Sequence, residues 1–121
     1  MNFSLQLDSD PMTIRSLRAS LRAWLAETRC RDECPDNVEL VVSELVTNAL
    51  VHGHSAPEVR AVVTQDRVHV EVDDDQPAPP VMRSPQGPAG GFGLHLVEAV
   101  CVDWGWIATK AGKVVWADIA L

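Results

Sequence analysis

From Gln76 to Gly90 the chain carries five prolines (Pro77, Pro79, Pro80, Pro85 and Pro88) and two glycines. Proline lacks a backbone N–H and has a fixed φ, so neither a helix nor a central strand runs through such a stretch. The 121 residues therefore fall into two blocks of regular structure joined by an irregular segment. Their number matches one domain. A loop this long inside one domain is either a functional lid or disordered. We place a lid at about residues 75–91 of a single domain spanning residues 1–121.

The first block begins with Phe3, Leu5 and Leu7 alternating with polar residues, a short half-buried strand. Ser9-Asp10-Pro11 supplies a helix cap and a first-turn proline. Ile14, Leu17, Leu21, Trp24 and Leu25 then recur at spacings of three and four, predicting an amphipathic helix to about Thr28. Its opposite face, with Arg15, Arg18 and Arg22, reads as a solvated surface. The polar segment 29–36, with Pro35, breaks this helix. A second helix is predicted from about Asp36 to His52, stopping at Gly53. Glu58–Thr64 and Arg67–Asp73 are β-branched runs parted by Gln65-Asp66, a hairpin. Val68, Val70 and Val72 share one face, and Asp74 continues their parity.

The second block reads as a helix, Gly93–Asp103, and a hairpin of Trp104–Thr109 and Lys113–Leu121 turning at Ala111-Gly112. Short connections favour an antiparallel or mixed sheet with helices on one side. The expected fold is α+β: a two-layer sandwich of a mixed, mostly antiparallel sheet with three helices on one face. No glycine fingerprint opens a βαβ unit and no Walker loop is present, which argues against a doubly wound fold.

Composition narrows the function. Ten basic and seventeen acidic residues give a net charge of −7, which disfavours nucleic acid as a partner. No apolar run is long enough for a membrane span and no leader is visible. Cys30, Cys34 and Cys101 are sparse and odd in number, so a reducing cytoplasm is the simplest home for them. Cys30 and Cys34 with His52 and His54 do not have the spacing of a standard zinc module, and ordinary semi-buried thiols are the expectation.

Three features carry chemistry. Glu44, Asn48 and His52 recur every fourth residue and share one helical face among aliphatic neighbours. An amide oxygen suits magnesium, and a carboxylate one turn away suits proton acceptance from a hydroxyl. Asp74 ends a buried-type strand, where a carboxylate accepts a hydrogen bond from an exocyclic amine. Gly90, Gly91 and Gly93 precede a helix, where backbone N–H groups attract phosphate. Each signal is weak alone. Taken one at a time, a polar helix face explains the first better than a site does, a flexible hinge explains the third better, and a solvated strand-end acid explains Asp74 as well.

Their order and spacing are more specific. Glu44 to His52 resembles the N box of the Bergerat-fold ATPases, the family of gyrase, heat-shock chaperones, histidine kinases and MutL. Val70-Glu71-Val72-Asp73-Asp74 resembles the strand and aspartate of its first glycine box. Gly91-Phe92-Gly93-Leu94 resembles the end of its second. The size is most similar to the anti-sigma-factor serine kinases and the short ATP-binding regulators of actinomycetes. Trp104-Gly-Trp106 and Gly112 to Ala117 add to that likeness.

The resemblance implies ATP and Mg2+ as cofactors. Asn48 is then the magnesium ligand and Glu44 the general base on a serine hydroxyl. Asp74 recognises the adenine amine, and Gly91, Gly93 and Leu94 belong to the closure over the phosphates. The implied activity is that of an anti-sigma factor with protein-serine kinase activity. Its implied partners are a sigma factor and an anti-anti-sigma protein of the STAS type, with a homodimer as the working unit. A second expectation keeps the fold and drops phosphotransfer. Gln76, Ala78 and Ala89 stand where the family often has glycine, which favours a degenerate module that regulates a partner by binding alone.

Overall fold

The computed structural model describes residues 2–7, 13–52, 56–80 and 93–121. The elements are β1 (Asn2–Gln6), α1 (Thr13–Leu25), α2 (Cys34–His52), β2 (Glu58–Val63), β3 (Arg67–Asp74), α3 (Gly93–Val100), β4 (Asp103–Thr109) and β5 (Gly112–Ala120). Their order is that expected from periodicity. The Ser9-Asp10-Pro11 cap, the Gly53 stop and most of the lid lie outside the described residues.

The five strands form one sheet in the order β1-β2-β3-β5-β4, and each of the four pairings is antiparallel. In β3 the valines of one parity, Val68, Val70 and Val72, are buried. Residues of the other parity are half-buried. The buried face of the sheet receives the helices, so the two-layer α+β arrangement follows from period-2 patterning. The core is aliphatic: Leu17, Leu21 and Leu25 of α1, Val38, Val42 and Val46 of α2, and Val59 and Ile119 of the sheet are all nearly inaccessible. Phe3 of β1 meets Trp24 of α1 with ring centroids 5.6 Å apart, which ties the edge strand to the first helix. Among the described residues no helix is long and apolar enough to cross a membrane.

Three expectations change at the first helix junction. Helix α1 ends at Leu25 rather than Thr28. There the N–H groups of Glu27 and Thr28 turn to carbonyls three residues back, Trp24 and Leu25, tightening the last turn until it cannot continue. Helix α2 starts at Cys34, with Pro35 inside its first turn, where a missing N–H breaks no helical bond.

The thiols are also not free. Cys30 and Cys34 form a disulfide with Cα atoms 5.4 Å apart. Asp32 between them adopts a left-handed φ of 59°, a conformation that aspartate tolerates, and the chain reverses there. This corrects the expectation of semi-buried thiols and removes both sulfurs as zinc ligands.

The arginine face of α1 is a further correction. Arg22 reaches across to Asp36 at 2.7 Å and to Glu39 at 2.5 Å on α2. Arg18 Nε donates to the Ser43 hydroxyl at 3.1 Å. This face is therefore a seam between two helices as well as a wet surface.

Candidate functional site

Helix α2 is buried along Val38, Val41, Val42, Leu45, Val46 and Ala49, because it packs on the sheet and on both other helices. Glu44, Thr47 and Asn48 lie on its flank and are half-buried. Glu44 and Asn48 thus sit one turn apart, at the boundary between core and surface. His52 is the last residue of α2.

Asp74 is the last residue of β3, the middle strand of the sheet. The three consecutive aspartates separate by parity. Asp73 turns to the open face, where Arg60 grips it with two N–H···O bonds of 3.1 and 2.8 Å. Asp74 turns to the helix-bearing face and is buried, its side chain 3% exposed. A solvated strand-end acid is therefore excluded for Asp74. Its Oδ1 accepts the N–H of Gln76 at 2.8 Å, closing a tight turn at the strand end.

One buried charged side chain at this corner was missed by sequence reasoning. Lys113, paired in register with Asp74 across the β3–β5 ladder, is also buried, with its side chain 4% exposed. Its Nζ lies 3.3 Å from Asp74 Oδ2 and donates to the Gln76 carbonyl at 2.8 Å. A signal was present: Lys113 continues the parity of Val115, Ala117 and Ile119, the buried face of β5. A lysine at a core position is rarely left unpaired.

Gly112 makes this approach possible. Its φ is +147°, and a Cβ there would fall 2.2 Å from the Asp74 carbonyl oxygen and 2.6 Å from the Asp75 carbonyl carbon. Only glycine lets the start of β5 lie this close to the end of β3.

Gly93 is the first residue of α3 and Leu94 the second; Gly91 lies outside the described residues. Helix α3 is fixed by Val97, fully buried, and packs on α2. It ends at Val100, short of the expected Asp103. The sheet claims the next residues: Val102 donates to the Asp118 carbonyl at 2.8 Å and Asp103 pairs with Asp118. One helix, α2, thus touches both the strand that ends in Asp74 and the helix that opens with Gly93.

A cavity of about 360 Å³ opens at this end of the sheet, lined by Glu58, Asp73, Asp74, Asp75, Thr109 and Lys113 among others. Its carboxylates make it hostile to a polyphosphate.

The open face of the sheet carries a charge network away from these residues. His69 Nδ1 lies 2.6 Å from Asp118 and its Nε2 3.0 Å from Glu71. Arg67 reaches Asp118 at 3.3 Å and Arg60 reaches Glu71 at 3.2 Å. Cys101 is a poor nucleophile: burial first, then the nearby Asp118 charge, pushes its thiol up to about 12.

Comparison with known proteins gives two findings. The family model described as "Histidine kinase-like ATPase domain" matches residues 7–119. The crystal structure of the RsbU and RsbW domains of Rv1364c from Mycobacterium tuberculosis is similar over 100% of this chain, with a TM-score of 0.76 and 22% sequence identity. The chain spans 33% of that longer chain, and at this identity the likeness speaks for the fold. No curated protein matches significantly.

Proposed function

The chain belongs to the histidine kinase-like ATPase family, and from this premise we propose that it is an ATP- and magnesium-dependent protein-serine kinase acting as an anti-sigma factor. The observation that carries the reading is the corner formed by α2, β3 and α3. There a half-buried Glu44 and Asn48 belong to the helix packed against the strand that ends in a buried Asp74.

In this reading bound Mg·ATP supplies the phosphoryl group and the metal charge that offsets its oxygens. Asn48 offers a hard carboxamide oxygen to the metal, in keeping with magnesium's habit of taking few protein ligands. Glu44, one turn earlier, accepts the proton of the attacking serine hydroxyl. Asp74 receives the exocyclic amine of the base. Gly91, Gly93 and Leu94 form the backbone approach to the phosphates. The donors present fit the group, and Asp74 already holds a cation, the Lys113 ammonium. The partners are those of the anti-sigma-factor serine kinases that the motifs resemble. They are a sigma factor held inactive and a STAS-type anti-anti-sigma protein phosphorylated on serine, served by a homodimer.

That same Asp74–Lys113 pair favours a second reading, a binding module of this fold that regulates its partner without phosphotransfer. Titration with labelled ATP, with and without magnesium, separates the two. Saturable binding that needs magnesium supports the kinase, and a flat titration leaves the binding module. Captured partner proteins are then assayed for serine phosphate.

A further inference from the structure

We infer that Lys113 is an internal occupant of the base-recognition point: its ammonium holds the Asp74 carboxylate at the place where a nucleobase amine would bind. The inference rests on the nucleotide-site reading and adds to it which residue sets access to the pocket.

The chemistry of the two donors is alike. An exocyclic amine and a lysine ammonium both present N–H groups to a carboxylate, and the ammonium is the stronger donor because it is charged. In the structure Asp74 Oδ1 is taken by the Gln76 N–H at 2.8 Å and Oδ2 faces Lys113 Nζ at 3.3 Å. Lys113 is held in turn by the Gln76 carbonyl at 2.8 Å. Asp74, Gln76 and Lys113 thus close a small ring of polar contacts, with both charged side chains about 96–97% buried. Asp74 and Lys113 both border the cavity at the sheet end, so a base arriving there gains Oδ2 only if Lys113 first swings away.

The lysine is also well placed to be a gate rather than a fixture. It is the second residue of β5, directly after Gly112, whose positive φ brings it over Asp74. Asp74 borders the same open cavity as Thr109, Ala111 and Lys113, so the ammonium has a polar, acidic space to move within when it leaves Asp74.

Two measurements test this. The first compares ATP·Mg affinity of the wild type with that of Lys113→Thr and Lys113→Met, each shown by circular dichroism to be folded. Removing a positive charge near an anionic ligand weakens binding on Coulombic grounds alone. A gain in affinity of about tenfold or more is therefore a specific sign that Lys113 competes with the base. Equal or weaker binding by folded variants overturns the inference and leaves the nucleotide reading intact. If neither wild type nor variant binds ATP, the nucleotide reading fails and the inference falls with it.

The second measurement uses the wild type alone. The chain has only two lysines, Lys110 and Lys113, and Lys110 lies exposed in the turn. Protein labelled with nitrogen-15 lysine gives two side-chain signals, the protected one being Lys113. That signal shifts and loses its protection from solvent exchange when ATP·Mg saturates the protein. Saturation with the Lys113 signal unmoved overturns the proposal, and this arm does not depend on any variant folding.

Discussion

Asp118 holds the imidazole of His69 by an Nδ1···Oδ1 contact of 2.6 Å across the β3–β5 ladder. The ring stacks toward Trp116 at an interplanar angle of 26°, with centroids 6.0 Å apart, and its other nitrogen meets Glu71 at 3.0 Å. This trio ties the middle of the sheet on the face that carries no helix.

It makes stability depend on pH. Burial works to lower the His69 value, but the contacts with Glu71 and Asp118 outweigh it, and the net shift is upward from 6.5. A raised folded-state value means that protonated His69 stabilises the fold fully below about pH 6.5 and that this contribution is lost as pH rises through the folded value. Glu71 is lowered, by its bond to His69 first and then by Arg60. Its contribution is present above the ordinary carboxyl range and is lost in acid. Thermal melts from about pH 5.5 to about pH 8.5 should show stability falling toward the alkaline end. His69→Gln should flatten that slope, and an unchanged slope would show that His69 is not its source.

Gly112→Ala should be severe. The new methyl meets backbone atoms of Asp74 and Asp75, which cannot rotate aside as a side chain can. The left-handed backbone adds strain. We expect a loss of roughly 2–4 kcal/mol in urea unfolding. A loss below about 1 kcal/mol would mean that the turn relaxes freely.

Glu44→Gln should separate binding from chemistry. The amide keeps the size of the acid and loses the proton acceptor, so phosphotransfer to a captured partner should fall about 10²–10⁴-fold with ATP affinity preserved. Asn48→Ala should instead abolish the magnesium-dependent part of ATP binding. Equal loss of both properties in Glu44→Gln would assign that residue to the structure of α2 rather than to proton transfer.

The thiols can be counted. In denaturant without reductant only Cys101 should react with a thiol reagent, and after reduction all three cysteines should. The closed loop is short, with a sequence separation of 4. Reduction should therefore cost no more than about 2 kcal/mol of stability by chain entropy. Three reactive thiols before reduction would show that the bridge does not form.

Much of the fold was readable along the chain. Alternation in Phe3-Ser4-Leu5, the 3–4 spacing of Leu17, Leu21, Trp24 and Leu25, and the valines of β3 each specify an element by a local period. The parity rule even distinguished Asp74 from Asp73 before any contact was known, and the structure buries the one and pairs the other with Arg60. Helix ends were less legible, because the last turn of α1 and the end of α3 are decided by competing hydrogen bonds. One of those competitors, the Asp118 carbonyl, comes from a distant strand.

What the chain alone determined is which residues share a face: Glu44 with Asn48 on one helix, Asp74 with the valines of its strand. Periods of two and 3.6 residues are written locally and need no partner to be seen. Only the tertiary structure decided that Lys113 lies against Asp74, that Arg18 and Arg22 cross to α2, and that Cys30 closes on Cys34. The first of these joins residues on either side of the proline-rich lid through the β3–β5 register. Register is a property of two strands together, set by how their buried faces stack, and neither strand carries it by itself.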